Sequence, residues 1–100
     1  MKKQFQSMKI RLQEDFLSEL NYLVDFISKD KPAAARRFKI DLLKNIRKDL
    51  KQPFHFKKSR YFRDENVRDY IFKGYTVVFG IDTNEQIVSV FGLIKHKNSL

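Results

Sequence analysis

Val67-Arg68-Asp69-Tyr70-Ile71-Phe72-Lys73-Gly74-Tyr75-Thr76-Val77-Val78-Phe79-Gly80-Ile81-Asp82 is the stretch that decides the fold. β-branched and aromatic side chains dominate it, and these suit a pleated, half-buried surface better than a helix. Two strand-length runs, Val67 to Lys73 and Tyr75 to Ile81, meet at Gly74. A glycine between such runs supplies the backbone freedom of a tight hairpin. The polar turn Asp82-Thr83-Asn84-Glu85 follows, and a third run extends from Ile87 to Lys95. Within it, Ile87-Val88-Ser89-Val90-Phe91-Gly92-Leu93-Ile94 is apolar on both faces, which predicts a strand inside the sheet. The three runs predict an antiparallel meander. Lys95-His96-Lys97-Asn98 then reads as a polar tail leaving the sheet.

Upstream, the period changes. Phe54 to Asn66 has none, and it interleaves His55, Lys57, Lys58, Arg60 and Arg63 with Phe54, Phe56, Tyr61 and Phe62. Such a loop can grip phosphates and stack on bases, or it can be a connection pinned to the core by its rings. Before it, Phe38, Leu42, Ile46 and Leu50 recur at helical spacing, flanked by Ala35 and Leu43. Pro32 suits the first turn of that helix and Pro53 closes it. Another amphipathic stripe, Phe16, Leu20, Leu23 and Ile27, predicts a helix from Glu14 to about Lys29, with Asp15 as its N-cap. The break at Ser28–Pro32 is short, so the helices should form an antiparallel hairpin. Its outer face bears Arg36, Arg37, Lys44, Arg47, Lys48 and Lys51, either a solvated helix surface or a binding face. Met8 to Leu12 alternates apolar and basic, the mark of a strand with one buried face. The order is strand, helix, helix, strand, strand, strand: an α+β fold with one sheet and two helices on one face.

Composition narrows what such a domain does. One hundred residues suffice for a single domain over 1–100, with residues 1–7 as a candidate N-terminal extension. There is no Cys, which excludes a disulfide scaffold, a thiolate zinc site and a cysteine nucleophile. It also fits a reducing, cytoplasmic location. No apolar run reaches the length of a bilayer span, and Met1–Ser7 lacks the apolar core of a secretory signal. Nothing suggests a metal or an organic cofactor. Twenty-one Lys and Arg against twelve Asp and Glu give a formal charge of +9, which attracts nucleic acid, anionic lipid or an acidic protein, or serves solubility alone.

The ordered segments resemble the RelE/ParE toxin superfamily of bacterial type II toxin–antitoxin modules, from Met8 to His96. Lys31-Pro32-Ala33-Ala34-Ala35-Arg36-Arg37-Phe38 is similar to the family's opening of the second helix, and Leu50-Lys51-Gln52-Pro53 to its end. In the Val67–Asp82 stretch, the Arg that opens the strand, the Gly-Tyr step and the closing Asp fit the family best. The resemblance implies a toxin, in some relatives tied to plasmid stabilisation, neutralised by a cognate acidic antitoxin. It implies operator binding by the toxin–antitoxin complex. Some relatives are metal-independent ribonucleases that cut messenger RNA on the ribosome, and the ParE branch poisons DNA gyrase without being enzymes.

A ribonuclease of this kind needs a base, cations on the phosphate and an acid for the leaving oxygen. Arg68 is the candidate cation, and its alternative is a structural role paired with Asp or a carbonyl. His96 is the candidate acid or base, and its alternative is a surface tail residue. Lys57, Lys58, Arg60, Arg63 and Lys95 are candidate phosphate or nucleic-acid contacts, with a solvated loop as their alternative. Gly80 stands where many relatives carry Arg, Phe79 where many carry Tyr, and Lys97 follows His96 where some end in His-Tyr. The expectation is ribosome-dependent messenger RNA cleavage. The alternatives are gyrase inhibition and a degenerate basic binding module.

Overall fold

In a computed structural model that describes residues 8–96, the chain runs β1 (Lys9–Leu12), α1 (Glu14–Ser28), α2 (Pro32–Asp49), a single 3-10 turn (Pro53–His55), β2 (Val67–Phe72), β3 (Tyr75–Asp82) and β4 (Ile87–Lys95). The expected extension over residues 1–7 and the Lys97–Asn98 part of the tail lie outside the described residues. The strands form one sheet in the order β1-β4-β3-β2. The β2–β3 and β3–β4 pairs are antiparallel, as the meander predicts, while β1 lies parallel to β4, so the sheet is mixed. β4 therefore does run inside the sheet.

Side-chain alternation sorts the two faces. Tyr70, Phe72, Val77, Phe79, Ile81, Val88 and Val90 join Phe16, Leu20, Leu42, Ile46 and Leu50 in one core between sheet and helices. Thr76 and Val78 alternate with that set, so they point to the helix-free face. Both are nonetheless fully buried: the Thr76 hydroxyl lies 2.7 Å from the His96 ring, and Val78 pairs with Gly92 of β4. Phe38, on the predicted stripe of α2, is half-buried and packs against Tyr75 and Phe72 rather than in the core's centre.

The Phe72–Tyr75 pair is closed by Lys73 and Gly74, both at positive φ (46° and 84°). That two-residue turn matches the twist of the strands, and glycine at its second place removes one steric cost. In β4 the register shifts: Val78 pairs with Gly92 and Phe79 with Val90, leaving Phe91 between them. This bulge turns Leu93 toward the core and sets Phe91 beside Gly80 on the helix-free face. A Cβ at position 92 would lie 3.2 Å from that of Val78, closer than packed strands allow.

Two sequence expectations need correction. Asp15 is not the N-cap of α1. Gln13 holds that position with extended backbone and no side-chain cap, its N–H donating to Val90 O at 2.9 Å. Glu14 and Asp15 lie in the first turn, where carboxylates favour the helix dipole. Nor does the chain leave the sheet at Lys95. Lys95 pairs with Tyr75, and the His96 N–H donates to Gly74 O at 2.9 Å.

Candidate functional site

The loop cations of the sequence reading lie where the chain crosses the outer edge of β2. Pro53 to His55 makes one helical turn, and the Phe56 ring then drops edge-on between Tyr70 (5.3 Å) and Phe79 (6.0 Å). With Phe56 fixed, Lys57 to Ser59 runs alongside β2. The Ser59 N–H donates to Val67 O at 2.8 Å and the Asp69 N–H to Lys57 O at 3.2 Å. The remainder folds over the helix-free face: the Ile81 N–H donates to Asn66 O, and Phe62 meets Phe91 edge-on at 5.4 Å. The lack of period in this segment thus reflects a stapled irregular structure, each aromatic finding a different partner.

Arg68 organises this wrap. Its Nε donates to Glu65 O at 2.9 Å and its Nη1 to Phe56 O at 2.7 Å, and its guanidinium carbon sits 5.4 Å from the Phe54 ring centroid. One side chain thereby ties both ends of the loop to β2. Charged donors on neutral carbonyls are strong hydrogen bonds.

Lys57, Lys58 and Arg60 are exposed, and with His55 they rim a cleft of about 530 Å³. Phe56, Tyr70 and Ile71 supply apolar lining. Lys58 has one loose contact, 3.8 Å to the exposed Glu65 carboxylate, which is worth little in water. Asp69 also borders the cleft. Its Oδ2 accepts the Arg60 N–H at 3.1 Å, while its buried Oδ1 has no partner. Tyr70 donates to the Asp49 carboxylate of α2. Burial, and then that carboxylate, push its phenol well above the usual tyrosine range; burial does the same to Tyr75. Both phenols stay protonated at neutral pH and cannot serve there as bases. Asp69, Tyr70 and Asp49 escaped the sequence reading. The available signal is Asp69 itself, an acid next to Arg68 in an otherwise apolar and aromatic strand.

His96 and Lys95 lie elsewhere. The His96 Nε2 and Thr76 Oγ1 are 2.7 Å apart, and Lys95 is exposed opposite Tyr75. Arg68 pairs with Phe79, three residues further along β3 than Thr76, so the two sites are about 10 Å apart along the strand. Alternation points Arg68 and Thr76 to opposite faces. Arg63 is exposed in the loop beyond Phe62. The structure therefore brings Lys57, Lys58 and Arg60 together beside Arg68, and it separates His96 and Lys95 from them. What it assembles is a cleft with a basic rim and the Asp69 carboxylate at its border; among the described residues, no acid, base and cation of the predicted set converge on one point.

Comparison with known proteins agrees with this architecture. A family model described as the ParE toxin of the type II toxin–antitoxin system parDE matches residues 10–100. A chain of the chromosomal ParDE toxin–antitoxin system from P. aeruginosa superposes with a TM-score of 0.73 at 14% identity, over 91% of this chain and 98% of that one. A chain of the RelBE2 toxin–antitoxin complex from Mycobacterium tuberculosis gives 0.67 at 12% identity, over 97% and 100%. The isolated E. coli RelE toxin gives 0.53 at 16% identity, over 93% and 88%. No curated protein matches significantly.

Proposed function

The chain belongs to the ParE toxin family of type II toxin–antitoxin systems, and from that premise we propose that it arrests growth as a non-enzymatic inhibitor of DNA gyrase. The observation that carries the proposal is the separation of Arg68 from His96. General acid–base chemistry needs its groups within hydrogen-bond reach of one substrate. Here the Arg68 guanidinium is engaged by two carbonyls on the helix side, and the His96 ring is held by Thr76 on the other. A binding mechanism needs no such convergence. It needs an exposed surface of fixed shape, and the stapled loop carrying Lys57, Lys58 and Arg60 supplies one. Gyrase inhibition is also what the superfamily resemblance assigns to the ParE branch.

A toxin of this class has an antitoxin as its partner. We take that antitoxin to be acidic, since it must cover a surface of charge +9. Ribosome-dependent messenger RNA cleavage remains the second reading. The observation in its favour is the basic rim over aromatic lining at the cleft, which suits a nucleotide.

One paired experiment separates them. Purified protein and its His96→Ala variant are titrated into a gyrase supercoiling reaction and into a translating extract. Gyrase inhibition predicts loss of supercoiling with both proteins and intact messenger RNA. Cleaved messenger RNA that depends on His96, with supercoiling unaffected, overturns it.

A further inference from the structure

The two helices of the hairpin carry opposite charge. α1 holds Glu14, Asp15, Glu19 and Asp25 and no Lys or Arg. α2 holds Arg36, Arg37, Lys39, Lys44, Arg47 and Lys48 against Asp41 and Asp49. Packed side by side, they could neutralise one another, yet among the described residues no ion pair joins them. A polar side-chain link between them runs from Lys39 Nζ to Asn21 Oδ1 at 3.0 Å. Apart from Lys39, Asp41 and Asp49, these charged side chains are exposed.

Large apolar groups lie within the same outward stripes. On α1, Tyr22 and Phe26 are 74% and 63% exposed and one turn apart, with Glu19 one turn before Tyr22 and Asp25 just before Phe26. On α2, Ile40 is 62% exposed between Arg37 and Lys44. Single exposed apolar residues are ordinary. An acidic stripe with aromatics lying parallel to a basic stripe with an aliphatic is a pattern with a natural complement.

We propose that the outer face of the hairpin is a self-association surface, on which α1 of one copy packs against α2 of a second. A two-fold axis parallel to the helices brings acidic stripe to basic stripe twice, closing a dimer. An axis across the helices would set acid against acid, so charge selects the first arrangement. Size sets the strength. Fifteen residues of α1 span about 22 Å and two helices about 20 Å across, a footprint on the order of 450 Å² per copy. Two such footprints fall below the roughly 1,200 Å² of stable complexes. The association is therefore reversible.

Each copy also carries +9, which repels its twin at long range. At about 0.1 M salt, screening cuts that repulsion off beyond about 10 Å, while contacts at the interface persist. At about 0.01 M the repulsion reaches about 30 Å, and at about 1 M the contacts are themselves screened. Dimerisation should peak between those extremes.

Sedimentation equilibrium on the purified full chain, over a concentration series at the three salt levels, tests this. The expected mass approaches twice the 12.0 kDa of one chain at the middle salt and falls at both ends. Glu19→Lys with Asp25→Lys, and separately Arg37→Glu with Lys44→Glu, each weaken pairing about a hundredfold. Mixing these two charge-reversed proteins restores a one-to-one dimer, a rescue that misfolding cannot produce. A monomer at every concentration and salt, reversed variants that pair like the parent, or a mixture that stays monomeric would overturn the proposal. Reversed variants that lose the antitoxin, from a parent that never self-associates, would give this face to the antitoxin instead.

Discussion

Beside Val67 the outer edge of β2 is covered by Lys57–Ser59, and Arg68 is drawn into that cover. At Ile71 the same edge is exposed, and the neighbouring hairpin turn is secured from β4's side by His96. The two residues most suited to catalysis by type are the ones each end uses as a fastener: a guanidinium on carbonyls, an imidazole on a hydroxyl. The cations without firm partners, Lys57, Lys58 and Arg60, lie beside Arg68 on the cleft rim. The difference teaches a sorting rule. A polar side chain with well-made partners is spent on shape, and one facing water beside such a fastener is available to a ligand.

The sharpest way to break the comparison is to remove the anchor of the covered end. Phe56→Ala deletes a ring packed on both Tyr70 and Phe79, and should lower unfolding stability by about 3 kcal/mol in urea titration. Arg68→Ala comes next, at about 2 kcal/mol, because two carbonyls lose a charged donor. Arg68→Lys should recover only part of that, since an ammonium lacks the fork that spans both carbonyls. If Arg68→Ala melts like the parent but loses toxicity, the residue serves a ligand and the sorting rule fails.

Tyr70 gives a smaller effect with a pH signature. The folded state holds its phenolic proton more tightly than the unfolded chain, whose value is 10.0. The stability from that linkage is therefore complete below pH 10.0 and is lost as pH rises above it. Tyr70→Phe should cost about 1 kcal/mol at neutral pH through the lost bond to Asp49. It should also flatten the decline above pH 10.0, as thermal melts across an alkaline series would show. The smallest change in stability belongs to Lys57→Ala with Lys58→Ala, within about 0.5 kcal/mol. The same double variant should lose most inhibition of the target, and full potency would remove the cleft from the binding surface.

Much of the architecture was legible in the sequence because burial dictates it. The stripes through Phe16 and Leu20 and through Leu42 and Ile46, the Gly74 hairpin and the doubly apolar β4 are each written in local periodicity. What escaped notice depends on contacts between distant residues. The parallel pairing of β1 with β4 has no local signature. The bulge at Phe91 is invisible as well, since an apolar run reads alike in either register. For the candidate site, Lys57, Lys58 and Arg60 lie on one exposed segment, as their charge in an aperiodic stretch implies. Residue type offered a structural Arg68 on a carbonyl as the alternative but could not name Glu65 and Phe56, because backbone carbonyls carry no residue-type signal.

The pairing of Lys9–Leu12 with the start of β4 has a kinetic consequence. Helices and hairpins can form as soon as their own residues exist. The β1 edge must wait until a partner nearly eighty residues later is in place, and closing so long a loop slows folding. During synthesis, α1 and α2 can pair early while β1 and the inner strand remain apart. Until β4 is available β1 lacks its partner and β3 one of its two, so the sheet, and any harm that depends on its shape, waits for the last strand.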